Sequence, residues 1–261
     1  WIIKGKTICF LPGQGNKFRP MPQLLSDWFI VETAFAQVHQ QPSFNSSCLT
    51  EGVLGESCRI LDQKGNWFQV RLEDGYEGWM NSFYGIEQSE RNKPTHWIVF
   101  PNEKGFFNPL FPFGAKTDQN LPGSIQLTDI LEFDQIVPVA INLLGIPYKW
   151  GGKTSLGFDC SGLVQSVFKP CGLDLPRDSF QQRDFFADYE IDFEECNPGD
   201  LHFFGKNGKV THVAISTGGK GILHAQGMVR EDNLGNEKIF SNQKLLDMYM
   251  STHSIRSKFQ S

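Results

Sequence analysis

The stretch Asp159-Cys160-Ser161-Gly162 constrains this chain more than any other, because apolar residues at helical spacing follow it directly. Those residues are Leu163, Val164, Val167 and Phe168. Their spacing predicts a helix with one buried face, and Asp159 is a residue type that caps helix N-termini. Cys160 is then expected in the first turn, where the helix dipole and unpaired backbone N–H groups favour a thiolate. The pattern indicates a helix that carries a candidate nucleophile.

Helices precede strands in the C-terminal half of the chain. A second helical pattern covers 134–144, and a third begins at Asp178. Strand patterns follow at 201–204, 210–217 and 221–224, separated by turn residues. This order favours an α+β domain with an antiparallel sheet.

The N-terminal half has the pattern of a small β-barrel. Within 67–72, Trp67, Gln69 and Arg71 alternate with apolar residues, as in a half-buried strand. Similar short strands separated by turns run through 29–90. The run GNWFQVRLEDGYEGWM resembles a bacterial SH3 domain.

These patterns divide the chain into four parts. Residues 1–28 are expected to form an N-terminal extension and residues 29–90 an SH3-like domain. Residues 91–125 fit either a second, degenerate SH3-like domain or a linker insertion. Residues 126–261 are expected to form the α+β domain.

Charge, hydropathy and cysteine spacing exclude several classes of binding partner. The formal net charge of −5 argues against nucleic acid or an anionic membrane surface as the main partner. No apolar run is long enough to span a bilayer. The six cysteines include no CxxC pair, which argues against a zinc site. We expect a monomer with no metal and no cofactor.

A cysteine nucleophile needs a base and a group that orients the base. His212 begins the strand pattern HVAIS, and His224 lies twelve residues later, beyond a Gly-rich turn. Alternation separates His212 from Val213 and Ile215. With those two in the core, His212 is expected to face the helix of Cys160. Neighbouring strands then place both histidines in one row, with His212 as base and His224 holding its ring.

Six motifs occur in an order that resembles the NlpC-type cell-wall cysteine peptidases. They are YKWGG, DCSGL, LPRDSFQQ, PGDLHFF, THVAIS and ILHA. The resemblance covers residues 126–261 and implies a compact papain-like fold. It also implies Cys160 as nucleophile, His212 as base and His224 as the polar third residue.

The SH3-like domain ahead of these motifs is similar to the arrangement in γ-D-glutamyl-L-diamino-acid endopeptidases. That resemblance implies hydrolysis of peptidoglycan tri- or tetrapeptides between D-glutamate and meso-diaminopimelate or lysine, with a free N-terminal L-alanine. The residues matching its substrate site are Tyr76, Tyr148, Trp150, Asp159, Ser161, Asp178 and Ser179. Relatives also use an acidic SH3-domain residue, for which Glu51 is a candidate.

Plainer interpretations exist for several of these residues. Asp159 and Asp178 are good helix caps without any further role, and Tyr76 fits an aromatic residue at a barrel rim. For the whole chain, the alternatives are a non-catalytic peptidoglycan-binding protein, or an amidase or transpeptidase with the same cysteine. The family implies the cell envelope, periplasmic or secreted, rather than the cytoplasm.

Overall fold

A computed structural model describes residues 27–235 and 242–260. Most of the expected N-terminal extension, residues 1–26, therefore lies outside the described residues.

A seven-stranded antiparallel sheet forms the first part of the described chain. Its strands are β1 (Trp28–Val31), β2 (Phe35–His39), β3 (Cys48–Val53), β4 (Ser57–Lys64), β5 (Trp67–Arg71), β6 (Glu77–Asn81) and β7 (Gly85–Gln88). The spatial order is β3-β2-β6-β5-β4-β1-β7. Phe29, Val38, Phe68 and Val70 fill its core. The expectation of an all-β SH3-like region is confirmed.

A three-stranded sheet follows, with β8 (His96–Ile98), β9 (Lys116–Thr117) and β10 (Ser124–Gln126) in the order β10-β8-β9. Ile98 packs with Val53 of β3. Trp97 and Phe113 instead join the core of the C-terminal part. This segment therefore lies between the two larger units and contacts both.

The C-terminal part is α+β, as expected. Its helices are α1 (Ile136–Ile141), α2 (Cys160–Phe168), α3 (Ser179–Phe185), α4 (Gln243–Leu246) and α5 (Ile255–Gln260). A short hairpin is formed by β11 (Lys153–Thr154) and β12 (Gly157–Phe158).

The main sheet of this part has six strands. They are β13 (Glu190–Ile191), β14 (Leu201–Lys206), β15 (Lys209–Gly218), β16 (Gly221–Gln226), β17 (Met228–Asn233) and β18 (Tyr249–His253). They are antiparallel, in the order β13-β18-β14-β15-β16-β17.

Both faces of this sheet are covered, which corrects one expectation. Val213 and Ile215 pack in the same core as Leu163 of α2. The ring of His212 lies on the other face, against Phe204 at 5.9 Å between centroids. His212 therefore does not project toward the apolar side of α2 as the alternation suggested. The pattern fails here because each face has its own apolar core, so hydrophobicity alone does not say which one α2 covers.

Within residues 27–235 and 242–260, the helices are too short or too polar to cross a bilayer.

Candidate active site

Helix α2 begins as the sequence predicts. Asp159 is its N-cap, and its Oδ1 accepts a hydrogen bond of 2.7 Å from the Gly162 N–H. This bond satisfies one of the donors that a helix start leaves unpaired. Cys160 follows as the first helical residue, and it is 8% exposed. The cap thereby holds a nearly buried thiol at the end of the helix.

The environment of that thiol differs from the expectation in one respect. Burial raises the pKa of Cys160 to about 11, and the nearby Asp159 carboxylate raises it further, while hydrogen bonds to the backbone of Val213 and Ser161 oppose the rise. The expected lowering by the helix N-terminus is therefore wrong for the substrate-free protein, because desolvation of the anion outweighs it. A thiolate forms here only if a base takes the proton.

The two histidines lie together on neighbouring strands. Nε2 of His212 on β15 is 2.8 Å from Nδ1 of His224 on β16. On its other side, Nε2 of His224 is 3.1 Å from Oδ2 of Asp232 on β17. The Cys160 thiol hydrogen-bonds the backbone of Val213, the residue next to His212. The predicted row of histidines is present, and it continues to a carboxylate that the sequence patterns did not indicate.

Both histidines are neutral near pH 7. Burial lowers the pKa of His212 to about 3, with the neighbouring His224 adding to the effect. Burial also lowers the pKa of His224, although the Asp232 carboxylate partly offsets this. A neutral imidazole has one nitrogen free to accept a proton. His212 adjoins Val213, whose backbone the Cys160 thiol contacts, so its neutral imidazole is the candidate base for the thiol.

Asp159 is engaged beyond its capping role. Arg177 donates to both of its carboxylate oxygens, at 3.0 Å and 2.6 Å, and also to Ser161 Oγ at 3.0 Å. The same guanidinium donates through Nε to Thr50 Oγ1 on β3, at 2.9 Å. A fully buried arginine thus joins the SH3-like region to both neighbours of Cys160.

Two of the residues predicted to bind the substrate amine, one from each domain, are in contact. The Tyr76 hydroxyl, in the turn between β5 and β6, donates to Asp178 Oδ2 at 3.3 Å. Asp178 is the N-cap of α3, and Ser179 is buried in its first turn. Burial and the Asp178 carboxylate raise the pKa of Tyr76, so its hydroxyl keeps its proton.

Asp74 holds the turn that carries Tyr76. Its Oδ1 accepts from the Tyr76 backbone N–H at 3.0 Å. Its Oδ2 accepts from Lys153 Nζ at 3.1 Å and from Gln165 Nε2, in helix α2, at 3.2 Å. Burial opposes ionisation, but the Lys153 ammonium and the hydrogen bond from the Tyr76 backbone lower the pKa of Asp74 to about 2. The barrel rim is therefore fastened to the helix of Cys160.

The YKWGG segment lies at the same boundary. Burial raises the pKa of Tyr148 to about 12, with the Cys160 sulfur adding to the effect. The Tyr148 hydroxyl therefore keeps its proton and remains a hydrogen-bond donor near the thiol. Trp150 is 69% exposed, and its Nε1 donates to the Cys48 carbonyl at 3.0 Å. Its indole is therefore open to contact from solvent.

Glu51, the candidate acidic residue, is fully buried and pairs with Lys149. Its second oxygen accepts from the Lys153 backbone N–H at 3.1 Å. Burial raises the pKa of Glu51, and Lys149 counters that rise. Both carboxylate oxygens of Glu51 therefore have partners in the C-terminal part of the chain.

Sequence patterns missed three charged residues of this site. They are Asp74, Arg177 and Asp232. Asp74 and Arg177 lie inside motifs already described, DGYEGW and LPRDS. Charged residues in such motifs are seldom buried unless they are paired, and this could have marked both as members of the site. Asp232 lies in no such motif, and only strand pairing brings it to His224.

Comparison with known proteins agrees with this geometry. Residues 145–248 match the NlpC/P60 family, and residues 38–82 match the bacterial dipeptidyl-peptidase Sh3 domain. Two curated relatives are gamma-D-glutamyl-L-lysine dipeptidyl-peptidases, from Bacillus cereus and Bacillus subtilis. They are 29% and 28% identical to this chain, over 67% of its length in each case. The alignments cover 66% and 71% of the relatives, so the chain spans about two thirds of their length.

A solved structure shows the same fold over most of the chain. The crystal structure of an NlpC/P60 family protein from Bacillus cereus superposes with a TM-score of 0.72 and 20% sequence identity. The match covers 87% of this chain and 99% of that one. The shared fold therefore includes the SH3-like region as well as the domain with the cysteine and histidines. The chain therefore carries an NlpC/P60 domain, with a bacterial SH3 domain ahead of it.

Proposed function

We propose that this protein is a cysteine endopeptidase of peptidoglycan stem peptides. It hydrolyses the bond between γ-D-glutamate and an L-diamino acid, meso-diaminopimelate or L-lysine, in peptides with a free N-terminal L-alanine. The observation that carries this proposal is the Tyr76–Asp178 hydrogen bond, which joins a hydroxyl of the SH3 domain to a carboxylate of the NlpC/P60 domain. The names of the two Bacillus relatives support the same bond, and the family supports a place in the cell envelope.

The reaction begins with proton transfer from Cys160 to His212. The sulfur then attacks the γ-glutamyl carbonyl carbon, and a tetrahedral intermediate forms. As the carbon–nitrogen bond breaks, His212 returns the proton to the departing amine of the diamino acid. Water then hydrolyses the thioester, releasing L-Ala–D-Glu and the free thiol. His212, whose pKa is about 3, is unprotonated at the start of each cycle.

Two donors are available for the oxyanion of the intermediate. One is the Cys160 backbone N–H at the start of α2, which has no partner within the helix because of its position. The other is the Tyr148 hydroxyl, which stays protonated because its pKa is about 12. Donors of this kind stabilise charge that develops only in the transition state.

The Tyr76–Asp178 pair suits an ammonium group. Asp178 offers a carboxylate, and the Tyr76 hydroxyl oxygen can accept through its lone pairs while its hydrogen is donated to Asp178. An ammonium placed there gains charge-assisted hydrogen bonds, which are stronger than neutral ones. If this pair holds the amine, L-alanine and γ-D-glutamate span the distance to Cys160, which is consistent with cleavage after the second residue.

The test is product analysis on L-Ala–γ-D-Glu–meso-diaminopimelate and its L-lysine counterpart. Mass spectrometry should show L-Ala–D-Glu and the free diamino acid. Addition of a competing amine should give no transfer product. Binding of the peptide without turnover, or transfer to the amine as the main outcome, would contradict the proposal.

Loss of the charge at Asp178 should weaken binding of the free amine. We expect Asp178→Asn to raise KM roughly 10- to 100-fold for the free tripeptide, because a charged hydrogen bond is worth about 1.5–3 kcal/mol. N-acetylation of the alanine should likewise remove most of the activity of the unmodified enzyme. Steady-state kinetics with both peptides measures these effects.

Asp184→Asn is the matched control, since Asp184 lies on the same helix, pairs with Arg183 and is 60% exposed. It should leave KM unchanged. Equal cleavage of free and acetylated peptides by the unmodified enzyme would contradict the role of Tyr76 and Asp178.

The pH profile should reflect the lowered pKa of His212. Protonated His212 cannot accept the thiol proton, so kcat/KM falls as the pH drops through the pKa of the free enzyme. Because burial puts that pKa at about 3, the loss of kcat/KM that His212 causes should begin well below pH 6.5, the ordinary histidine value. On the alkaline side, kcat/KM should fall near pH 8, where a peptide α-amine loses its proton. A fall of kcat/KM on the acid side centred near pH 6.5 would contradict this prediction.

A further inference from the structure

Asp232 is a buried carboxylate that the proposed reaction does not use directly. It lies on β17, next to the strand of His224, and it is 4% exposed. A charge removed from water in this way is costly unless several donors surround it. A buried carboxylate at this position must therefore be stabilised by its neighbours.

Its surroundings consist of donors. Arg230 Nε and Nη2 donate to Oδ1 at 3.0 Å and 2.6 Å. Asn242 Nδ2 donates to Oδ2 at 2.7 Å, and His224 Nε2 is 3.1 Å from the same oxygen. Burial alone would raise the pKa of Asp232, but these hydrogen bonds lower it. Asp232 is therefore an ionised carboxylate, which only accepts hydrogen bonds.

An acceptor at this point decides the protonation of the next ring. Because Asp232 only accepts, Nε2 of His224 must carry the proton. His224 is neutral near pH 7, so its Nδ1 is then unprotonated and accepts. The only hydrogen available between the two rings is the one on His212 Nε2, which donates to His224 Nδ1 across 2.8 Å.

The same reasoning then applies to His212. With the proton on Nε2, the neutral ring has its lone pair on Nδ1, the nitrogen that His224 does not engage. That nitrogen is the one able to receive the proton of Cys160. The alternative tautomer would place a hydrogen on Nδ1 and leave the thiol without a base.

We propose that Asp232 is a positioning residue that sets the tautomers of His224 and His212 in series, making Nδ1 of His212 the proton acceptor. It acts through two hydrogen bonds and takes up no proton itself. During attack, the imidazolium of His212 is held by His224, whose ring the carboxylate keeps in the accepting form. The role in catalysis rests on the proposed function, whereas the tautomers do not depend on a substrate.

The first measurement is histidine NMR of the unmodified, substrate-free protein labelled with nitrogen-15. Protonated and unprotonated ring nitrogens have well-separated shifts, and His212→Gln and His224→Gln variants assign the signals. We expect both rings to be protonated on Nε2. A proton on Nδ1 of His224 would overturn the proposal.

The second measurement is kinetic, with Asp232→Asn and the control Glu231→Gln, an exposed neighbour on the same strand. The asparagine amide can donate to His224 Nε2. This would move the ring proton to Nδ1 in both His224 and His212. A carboxylate bound directly to a catalytic histidine is worth about 10⁴ in kcat, so one hydrogen bond further away we expect a fall of roughly 100-fold. KM should stay unchanged, and the control should match the unmodified enzyme.

The outcomes separate the two proposals. If Asp232→Asn keeps Nε2–H on both rings, or keeps the kcat of the control, the positioning role is wrong. If Asp232→Asn does not fold, the spectrum of the unmodified protein still decides the tautomers. If that spectrum is as expected but no γ-glutamyl peptide is cleaved, the proposed function fails and the assignment of the tautomers stands.

Discussion

Cys160→Ala is expected to remove peptide hydrolysis, with a loss of kcat of roughly 10⁶-fold, as for other enzymes that lose their nucleophile. Without the sulfur no thioester can form, and neither His212 nor the oxyanion donors can replace that step. The measurement is release of L-Ala–D-Glu over long incubations, followed by mass spectrometry. Any small residual rate above that of peptide in buffer should come from the oxyanion donors and substrate binding alone.

Two controls accompany this prediction. Cys196→Ala removes a different, partly exposed thiol, one that contacts Gly219 and Ser216 rather than the histidines, and it should keep full activity. Cys160→Ala itself should still bind the tripeptide in calorimetry, since Tyr76 and Asp178 are intact. Hydrolysis by Cys160→Ala at a rate near that of the unmodified enzyme would show that another group is the nucleophile.

Loss of Arg177 should have the largest effect on stability. We expect Arg177→Gln to lower the free energy of unfolding by about 3–5 kcal/mol, since removal of one partner leaves a buried charge uncompensated. The side chains of Arg177 and Asp159 are only 2% and 10% exposed. Thr50 and Ser161 lose a donor at the same time. Urea unfolding followed by tryptophan fluorescence measures the change.

Arg183→Gln is the matched control, because Arg183 also pairs with an aspartate but on the surface of α3. Exposed pairs contribute about 0–1 kcal/mol, so its effect should be small. The double variant Asp159→Asn, Arg177→Gln should be less destabilised than the two single changes added together. Equal effects of the Arg177 and Arg183 changes would contradict the structural role assigned to the buried pair.

Local patterns predicted much of this protein because the features concerned depend on near neighbours. The start of α2 at Cys160 follows from the Asp159 cap and the apolar spacing after it. The strands at Leu201–Lys206, Lys209–Gly218 and Gly221–Gln226 follow from alternation and glycine turns. The row formed by His212 and His224 follows from an antiparallel pair joined by a short turn.

Other features needed the folded chain. The face on which His212 lies was predicted wrongly, because both faces of the sheet have apolar cores. The state of the Cys160 thiol was also predicted wrongly. The helix start favours a thiolate, but burial and Asp159 outweigh it.

The helices and strands, the capped cysteine and the order of the histidines follow from local sequence, since each depends on residues close together in the chain. Which charged groups meet depends instead on how the folded chain packs. Arg177 reaches Thr50 across 127 positions, and Tyr76 reaches Asp178 across 102. Such contacts depend on how separate domains pack, and electrostatic energies depend on the burial that packing creates. The reactivity of the site is therefore a property of the assembled interface, while its location is a property of the chain.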